Sequence, residues 1–375
     1  MDSVDPAPAA YPLVSSARPD ARAAAVVARW PALDGLRGVA VALVVVFHAA
    51  LGPGVNGYIG VDVFFALSGF LITALLLREH DRAGRVNLGH FYLRRVLRLY
   101  PALVLVCLGA MAIAVVAHKL GEVGPAALAA LAYVTNWWVY TGHPATLLEH
   151  TWTLAIEEHY YLLWPAILVA GLSRRRLLRV AAGLAILLVV VLLTVRWPGD
   201  LDAVRGSYLR GAPIAWGSLL ALVWGRLRPR GEPAPGARPS RLLGVVGWAL
   251  LLGLLWVGLT PASLSGTWLQ GPRSLPGLIS TLLVAVVVLG GTAPGVLGWR
   301  PLVWLGQRSY GVYLYHFPVL SLLRHQVHVP ADERVRVLVG VVLTLVVAAV
   351  SYRIVEAPLL ALKSRIARPS APDHG

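Results

Sequence analysis

Apolar stretches long enough to cross a bilayer recur along this chain, and several of them carry ionisable residues. The first, LDGLRGVAVALVVVFHAA (33–50), holds Asp34 and Arg37 at one end and His48 near the other, with only apolar or glycine residues between. A run of about 20 apolar residues spans the hydrocarbon core as a helix, and a charged side chain at its centre costs at least about 2.5 kcal/mol. Composition points the same way. The 375 residues are 57% hydrophobic and 14% charged, against about a quarter charged in a soluble domain. Repeated span-length stretches separated by short loops rich in Arg, Pro and Gly indicate an all-α polytopic bundle rather than a barrel.

The pattern predicts about ten transmembrane spans, near 33–51, 57–77, 100–118, 151–172, 177–195, 207–225, 242–259, 275–291, 302–323 and 335–355. The stretch 126–141 is shorter than a comfortable span and ends in aromatic residues, so it reads as re-entrant or interfacial. With that parity the basic loops 78–99, 173–176 and 226–241 fall on the cytoplasmic side, together with both termini; the loop holding Arg324, Arg334 and Arg336 dissents, partly balanced by Asp332 and Glu333. Residues 1–30, rich in Ala, Pro and Arg, read as a disordered cytoplasmic tail, 31–360 as the membrane domain and 361–375 as a second cytoplasmic tail. The net charge of +15 sits in loops where positive-inside bias puts it, which argues for a plasma-membrane protein and against nucleic-acid binding. Cys107 is the only cysteine, so an internal disulfide and a cysteine metal site are both excluded. Lys119 and Lys363 are the only lysines and lie in or near loops, which leaves acid–base chemistry to His, Asp, Glu and Tyr.

Arg37 and His48 are eleven residues apart, so on a helix they point within about 20° of one another and about 16 Å apart along the axis. They line one face of a polar cavity, or else Arg37 snorkels and His48 bonds a backbone carbonyl. GYIGVDVFFALSGFLIT (57–73) adds Asp62 and Ser68 near an outer boundary, where an interfacial carboxylate and a hydroxyl bonded to its own helix are the bland alternatives. EHTWTLAIEEHYYLLWP (149–165) adds Glu157, Glu158 and His159; of the adjacent acids, Glu157 is the one expected to face inward, with Thr153 and Tyr161 one turn away on its side. LGQRSYGVYLYHFPVL (305–320) sets Ser309, Tyr313 and His316 on one face. His150 and His159 lack a ligand pattern, so no metal is expected. FYLRRVLRLYP (91–101) reads as an amphipathic helix at the cytoplasmic surface whose Arg94, Arg95 and Arg98 suit lipid headgroups or phosphates.

Taken together, these segments resemble the acyltransferase-3 family of integral membrane acyltransferases, which modify envelope glycans and some secondary metabolites. The match covers about residues 30–360 and rests on LDGLRGVAVALVVVFHA, with the basic-residue–ten–histidine spacing as Arg37 and His48, on GVDVFFALSGFLIT, on Arg95-x-x-Arg98, on HTWTLAIEEHYYLLWP, and on SYGVYLYHFPV and SYRIVEAPL. Departures are mild: Thr153 where the family often has Ser, His159 where it often has Gln, and Ala357 where a basic residue usually follows the glutamate. The resemblance implies an O-acyltransferase with no bound cofactor that takes an acyl group, an acetyl group above all, from a cytoplasmic acyl-CoA co-substrate to a hydroxyl of an envelope glycan or of a metabolite such as a macrolide. The residues then suggest donor binding by Arg37, Arg94, Arg95 and Arg98 and general-base catalysis by His48 with its tautomer fixed by Asp62 or Glu157, or else a ping-pong route in which His48 is itself acylated or hands the acyl group to Ser68; Ser309, Tyr313 and His316 are further candidates. Some members carry a fused extracytoplasmic hydrolase-like domain, so a separate extracytoplasmic partner is compatible with this chain. The rival reading is a secondary transporter of a small polar solute, because intramembrane polar residues also mark solute pathways. The excess of arginine over lysine fits a GC-rich bacterial source.

Overall fold

In the computed structural model, residues 30–49, 56–144, 146–173, 208, 210–227, 241–260, 275–289, 295–325 and 332–359 are described. Among them the chain is helical throughout, with twelve α-helices and no strand. These are α1 (Pro31–Ala49), α2 (Gly60–Ala83), α3 (Leu88–Val116), α4 (Leu120–Leu131), α5 (Thr135–Tyr140), α6 (Trp152–Ser173), α7 (Ala212–Leu227), α8 (Arg241–Leu259), α9 (Leu275–Val288), α10 (Arg300–Gln307), α11 (Ser309–His325) and α12 (Glu333–Ser351). Short 3-10 turns precede α2 (Gly57–Ile59) and α6 (Thr146–Thr151), and a π-helical turn (Tyr352–Glu356) follows α12.

Among the described residues five helical stretches are long and apolar enough to cross a membrane: Pro31–Ala49, Gly57–Ala83, Leu88–Val116, Arg241–Leu259 and Glu333–Leu359. The expected count of about ten is not reached among the described residues. The segments Leu120–Leu131, Ala212–Gly225 and Leu275–Val288 are apolar but shorter, and the expected span 177–195 and both tails lie outside the described residues. Two expectations need correction. The span expected at 302–323 is broken into α10 and α11 at Arg308. The surface helix expected at 91–101 is the first part of α3, one continuous helix of 29 residues with Pro101 inside it. Its start is fixed by Asn87, whose side chain accepts from the His90 backbone N–H at 2.9 Å. The stretch 126–141 falls in two helices of 12 and 6 residues, neither long enough to span.

The innermost helices are α1 and α2, and they meet their neighbours through glycine. A Cβ built at Gly69 would lie 1.8 Å from the Ile214 carbonyl oxygen, and one at Gly217 would lie 2.0 Å from that of Ala66. The α1–α10 contact repeats this, with Gly38 against Leu302 and Gly306 against Asp34. Without a hydrophobic driving force between helices in lipid, close backbone approach supplies the packing energy. The outer helices present apolar stripes instead. On α12, Leu338, Val342, Val346 and Val350 are exposed at four-residue spacing, and on α8 Leu242, Val245, Leu252 and Trp256 are exposed at helical spacings of three, seven and four, as lipid contact requires. The chain is a multi-pass membrane protein.

Close approach can be tested by substitution. Gly217→Leu should destabilise the bundle by more than the roughly 1–3 kcal/mol typical of overpacking, because its Cβ meets backbone. The same change at Gly109, which has nothing within 4 Å, should leave stability unchanged. Thermal unfolding of the detergent-solubilised protein, followed by size-exclusion chromatography, reads the difference.

Candidate functional site

α1 and α11 run parallel, tied at one end by Arg37 and Ser309 and at the other by His48 and Arg324. Near the first of these ties a cavity opens among α1, α2, α3, α6 and α11, and Arg37, Ser68, Arg95, Arg98, Glu157 and Glu158 supply its charged and polar lining. The cost of holding these groups away from water is met by pairing across helices. Arg37 Nε donates to Ser309 Oγ at 3.2 Å, and Ser68 Oγ donates to Glu157 Oε1 at 2.9 Å. Arg95 grips Glu158 with a fork, Nη2 to Oε1 at 2.7 Å and Nε to Oε2 at 3.0 Å. Its guanidinium carbon also lies 3.2 Å from the centroid of the Tyr161 ring. Arg98 lines the same cavity and makes no hydrogen bond or ion pair among the described residues.

His48 is not part of this lining. Its Nδ1 lies 3.0 Å from the Val44 carbonyl oxygen and 3.2 Å from His316 Nε2. A carbonyl only accepts, so in the neutral ring Nδ1 carries the proton. The fully buried His316 faces the Tyr313 carbonyl with Nδ1 at 2.6 Å, which leaves its Nε2 as an acceptor for His48. The consequence is that His48 Nε2 keeps its lone pair. Phe47 and Phe317 pack edge-on to the His48 ring. Arg324 donates to the carbonyls of His48 and Ala49, capping α1 and fixing its end.

Tyr313 stands between the two groups. It lines the cavity, its ring lies 5.5 Å from that of His316, and its hydroxyl donates to the His150 carbonyl at 2.7 Å while sharing a 2.6 Å bond with Thr153 Oγ1. His150 itself donates from Nε2 to the Leu314 carbonyl and stacks on Phe317.

The sequence-predicted residues therefore sort into three places. Arg37, Ser68, Arg95, Arg98, Glu157, Ser309 and Tyr313 share the cavity. His48 and His316 form the adjoining pair. Asp62 and Arg94 belong to neither. Arg94 of α3 is paired with Glu79 of α2 at 3.2 Å, outside the cavity where its donor-binding role was expected. The tautomer of His48 is fixed by Val44 and His316 rather than by Asp62 or Glu157, because Glu157 is turned to Ser68 and no hydrogen bond joins Asp62 to His48. Glu158 also faces inward, contrary to expectation; the cavity is wide enough to take both acids, and Arg95 draws in the second. Thr153, His150, Tyr161 and Arg324 were not singled out as site residues. The first three lie within or beside the glutamate motif, where an adjacent acid pair facing a basic run was the available signal.

A family model described as an acyltransferase domain matches residues 30–353. Peptidoglycan O-acetyltransferase OatA of Listeria monocytogenes serovar 1/2a is 30% identical over 348 residues, 88% of this chain and 55% of that protein. YrhL of Bacillus subtilis (strain 168), whose name also refers to peptidoglycan O-acetyltransfer, is 32% identical over 347 residues, 88% of this chain and 54% of its own length. A Staphylococcus aureus (strain COL) protein with an O-acetyltransferase name is 31% identical over 347 residues. The chain spans about half the length of these curated relatives. No solved structure matches it.

Breaking the Arg95–Glu158 fork should be costly, since removing one partner strands a largely buried charge, an effect of about 3–5 kcal/mol in comparable pairs. Glu158→Ala is expected to lower thermal stability sharply, and the double change Arg95→Met, Glu158→Leu to recover most of the loss. A double-mutant cycle on unfolding temperature checks this.

Proposed function

The chain belongs to the acyltransferase-3 family, and on that premise we propose that it is a membrane O-acyltransferase that acetylates a hydroxyl of a cell-envelope glycan, using a cytoplasmic acyl-CoA as donor. The observation that carries this reading is the convergence of Arg37, Arg95 and Arg98 on the Ser68–Glu157 pair in one cavity. The named activity of the relatives supports the glycan over a macrolide as acceptor. Nothing in that family favours the transporter reading.

Arg98 is the guanidinium available to donor phosphates, because the fork of Arg95 is filled by Glu158. Arg95 then acts by holding α3 against α6 and adding positive potential. His48 is the general base: its Nε2 lone pair takes the proton of the acceptor hydroxyl as the oxygen attacks the acyl carbonyl. The tetrahedral intermediate collapses by breaking the carbon–sulfur bond, and the CoA thiolate leaves. Val44 and His316 keep the lone pair on Nε2 throughout the approach. Tyr313 must swing aside for the donor's acyl end to pass from the cavity to His48. Orientation with both termini in the cytoplasm, in the plasma membrane, puts the arginine end inside and His48 toward the outer face.

One observation favours a second route. Ser68 is hydrogen-bonded to Glu157 within the cavity, so Glu157 can take the serine proton while Oγ attacks the thioester, giving an acyl-Ser68 and free CoA. Rapid-quench mass spectrometry with labelled acetyl-CoA and no acceptor separates the routes, since an acyl group on the Ser68 peptide appears only in the second.

His48→Ala should reduce transfer at least about 100-fold with protein still inserted in the membrane; near-normal turnover removes His48 from the chemistry. Arg98→Ala should raise the donor KM roughly tenfold with little change in kcat, and Arg98→Lys should recover part of it. Equal effects of Arg94→Ala would contradict the assignment of phosphate binding to Arg98.

A further inference from the structure

A second polar cluster lies at the His48 end of the bundle, apart from the cavity. The Arg210 guanidinium is 4.9 Å from the centroid of the Tyr58 ring and 5.5 Å from that of Trp152. Among the described residues it makes no hydrogen bond or ion pair. Asp62, one helical turn after Tyr58 and only 4% exposed, feels the Arg210 charge but makes no side-chain hydrogen bond among the described residues, and no ion pair within 4 Å joins the two. The Tyr58 hydroxyl is buried and unpartnered. The buried Asp62 carboxylate and Tyr58 hydroxyl are expensive to leave without a hydrogen bond, and with the half-exposed Arg210 beside them they make a site for something polar that fits between them.

The chemistry of the missing partner can be narrowed. A phosphate would meet the Asp62 carboxylate, and an acyl chain would leave both charges unpaired. Tyr58 and Trp152 are half-buried and face Arg210, unlike rings anchored in the lipid interface. Aromatic faces beside a carboxylate acceptor and a guanidinium donor suit a pyranose, which has an apolar C–H face and hydroxyls that both donate and accept. The cluster also adjoins the base. Phe47 packs edge-on against Tyr58 at 5.8 Å and against His48 at 4.8 Å. Trp152 is the chain neighbour of Thr153, which bonds Tyr313 on the cavity wall.

We propose that Tyr58, Asp62, Trp152 and Arg210 form an acceptor subsite that seats a sugar ring and presents one of its hydroxyls to His48. This rests on the acyl-transfer reading above and gives Asp62 a place in sugar binding instead of in tuning the histidine.

The test uses the full chain in lipid nanodiscs and two separate ligands, an N-acetylglucosamine tetramer and acetyl-CoA. Saturation-transfer difference NMR should show transfer to the sugar ring protons in the wild type. Arg210→Gln and Trp152→Ala should each weaken sugar binding at least about tenfold, or about 1.4 kcal/mol, and leave acetyl-CoA affinity unchanged. Retained acetyl-CoA binding reports that each variant is folded, and Trp152→Phe, with a smaller loss, replaces Trp152→Ala if that protein fails this control. Wild-type protein that binds acetyl-CoA but not the tetramer, or variants that bind it as the wild type does, overturns the subsite. Sugar binding without acetyl-CoA binding supports the subsite and overturns the donor assignment instead.

Discussion

The structure depends on one constraint: a charge or hydroxyl within an apolar bundle must find its partner on another helix. Arg95 finds Glu158, Ser68 finds Glu157, Arg37 finds Ser309 and His48 finds His316. Each of these pairs joins two helices far apart in the chain, so the same contacts that neutralise the polar groups also fix how α1, α2, α3, α6 and α11 stand around the cavity. Glycine contacts such as Gly69 on Ile214 bring the backbones close enough for these short bonds to form.

Pairing also divides labour among residues that look alike. Of three arginines within five residues of sequence on α3, Arg94 pairs with Glu79 of α2, Arg95 is locked to Glu158 under Tyr161, and Arg98 makes no hydrogen bond or ion pair among the described residues. The histidines divide similarly. His316 has both ring nitrogens engaged, one with the Tyr313 carbonyl and one with His48, whereas the His48 ring has one nitrogen without a hydrogen bond among the described residues. An imidazole that is fixed by a neutral histidine and a backbone carbonyl, as His48 is, gains orientation without added negative charge.

The separation of cavity and histidine pair by Tyr313 bears on how transfer works. Arg37, Arg95 and Arg98 gather on one side of that ring, and His48 and the Tyr58–Arg210–Trp152 cluster on the other. On the proposed acyl-transfer reading, a wall of this kind keeps water and acceptor from the acyl donor until the wall moves. The hydroxyl of Tyr313 is tethered by His150 and Thr153, so opening requires two hydrogen bonds to be exchanged, a modest barrier of about 1–3 kcal/mol.

Much of this was legible in the sequence. Span-length apolar runs gave a helical membrane bundle because a bilayer accepts little else, and polar residues inside those runs named most of the cavity, since burying them without a use is too costly to persist. The same letters could not say which polar residue meets which. Glu157 and Glu158 are neighbours in the chain, and only the position of α3 decides that one takes Arg95 and the other Ser68. The break at Arg308, the cap that Arg324 places on α1 and the distance of Asp62 from the cavity were likewise beyond reach. Hydropathy and helical period are properties of a segment and its solvent, so the sequence determined them alone; hydrogen-bond partners are properties of helices brought together, so only the tertiary structure decided them.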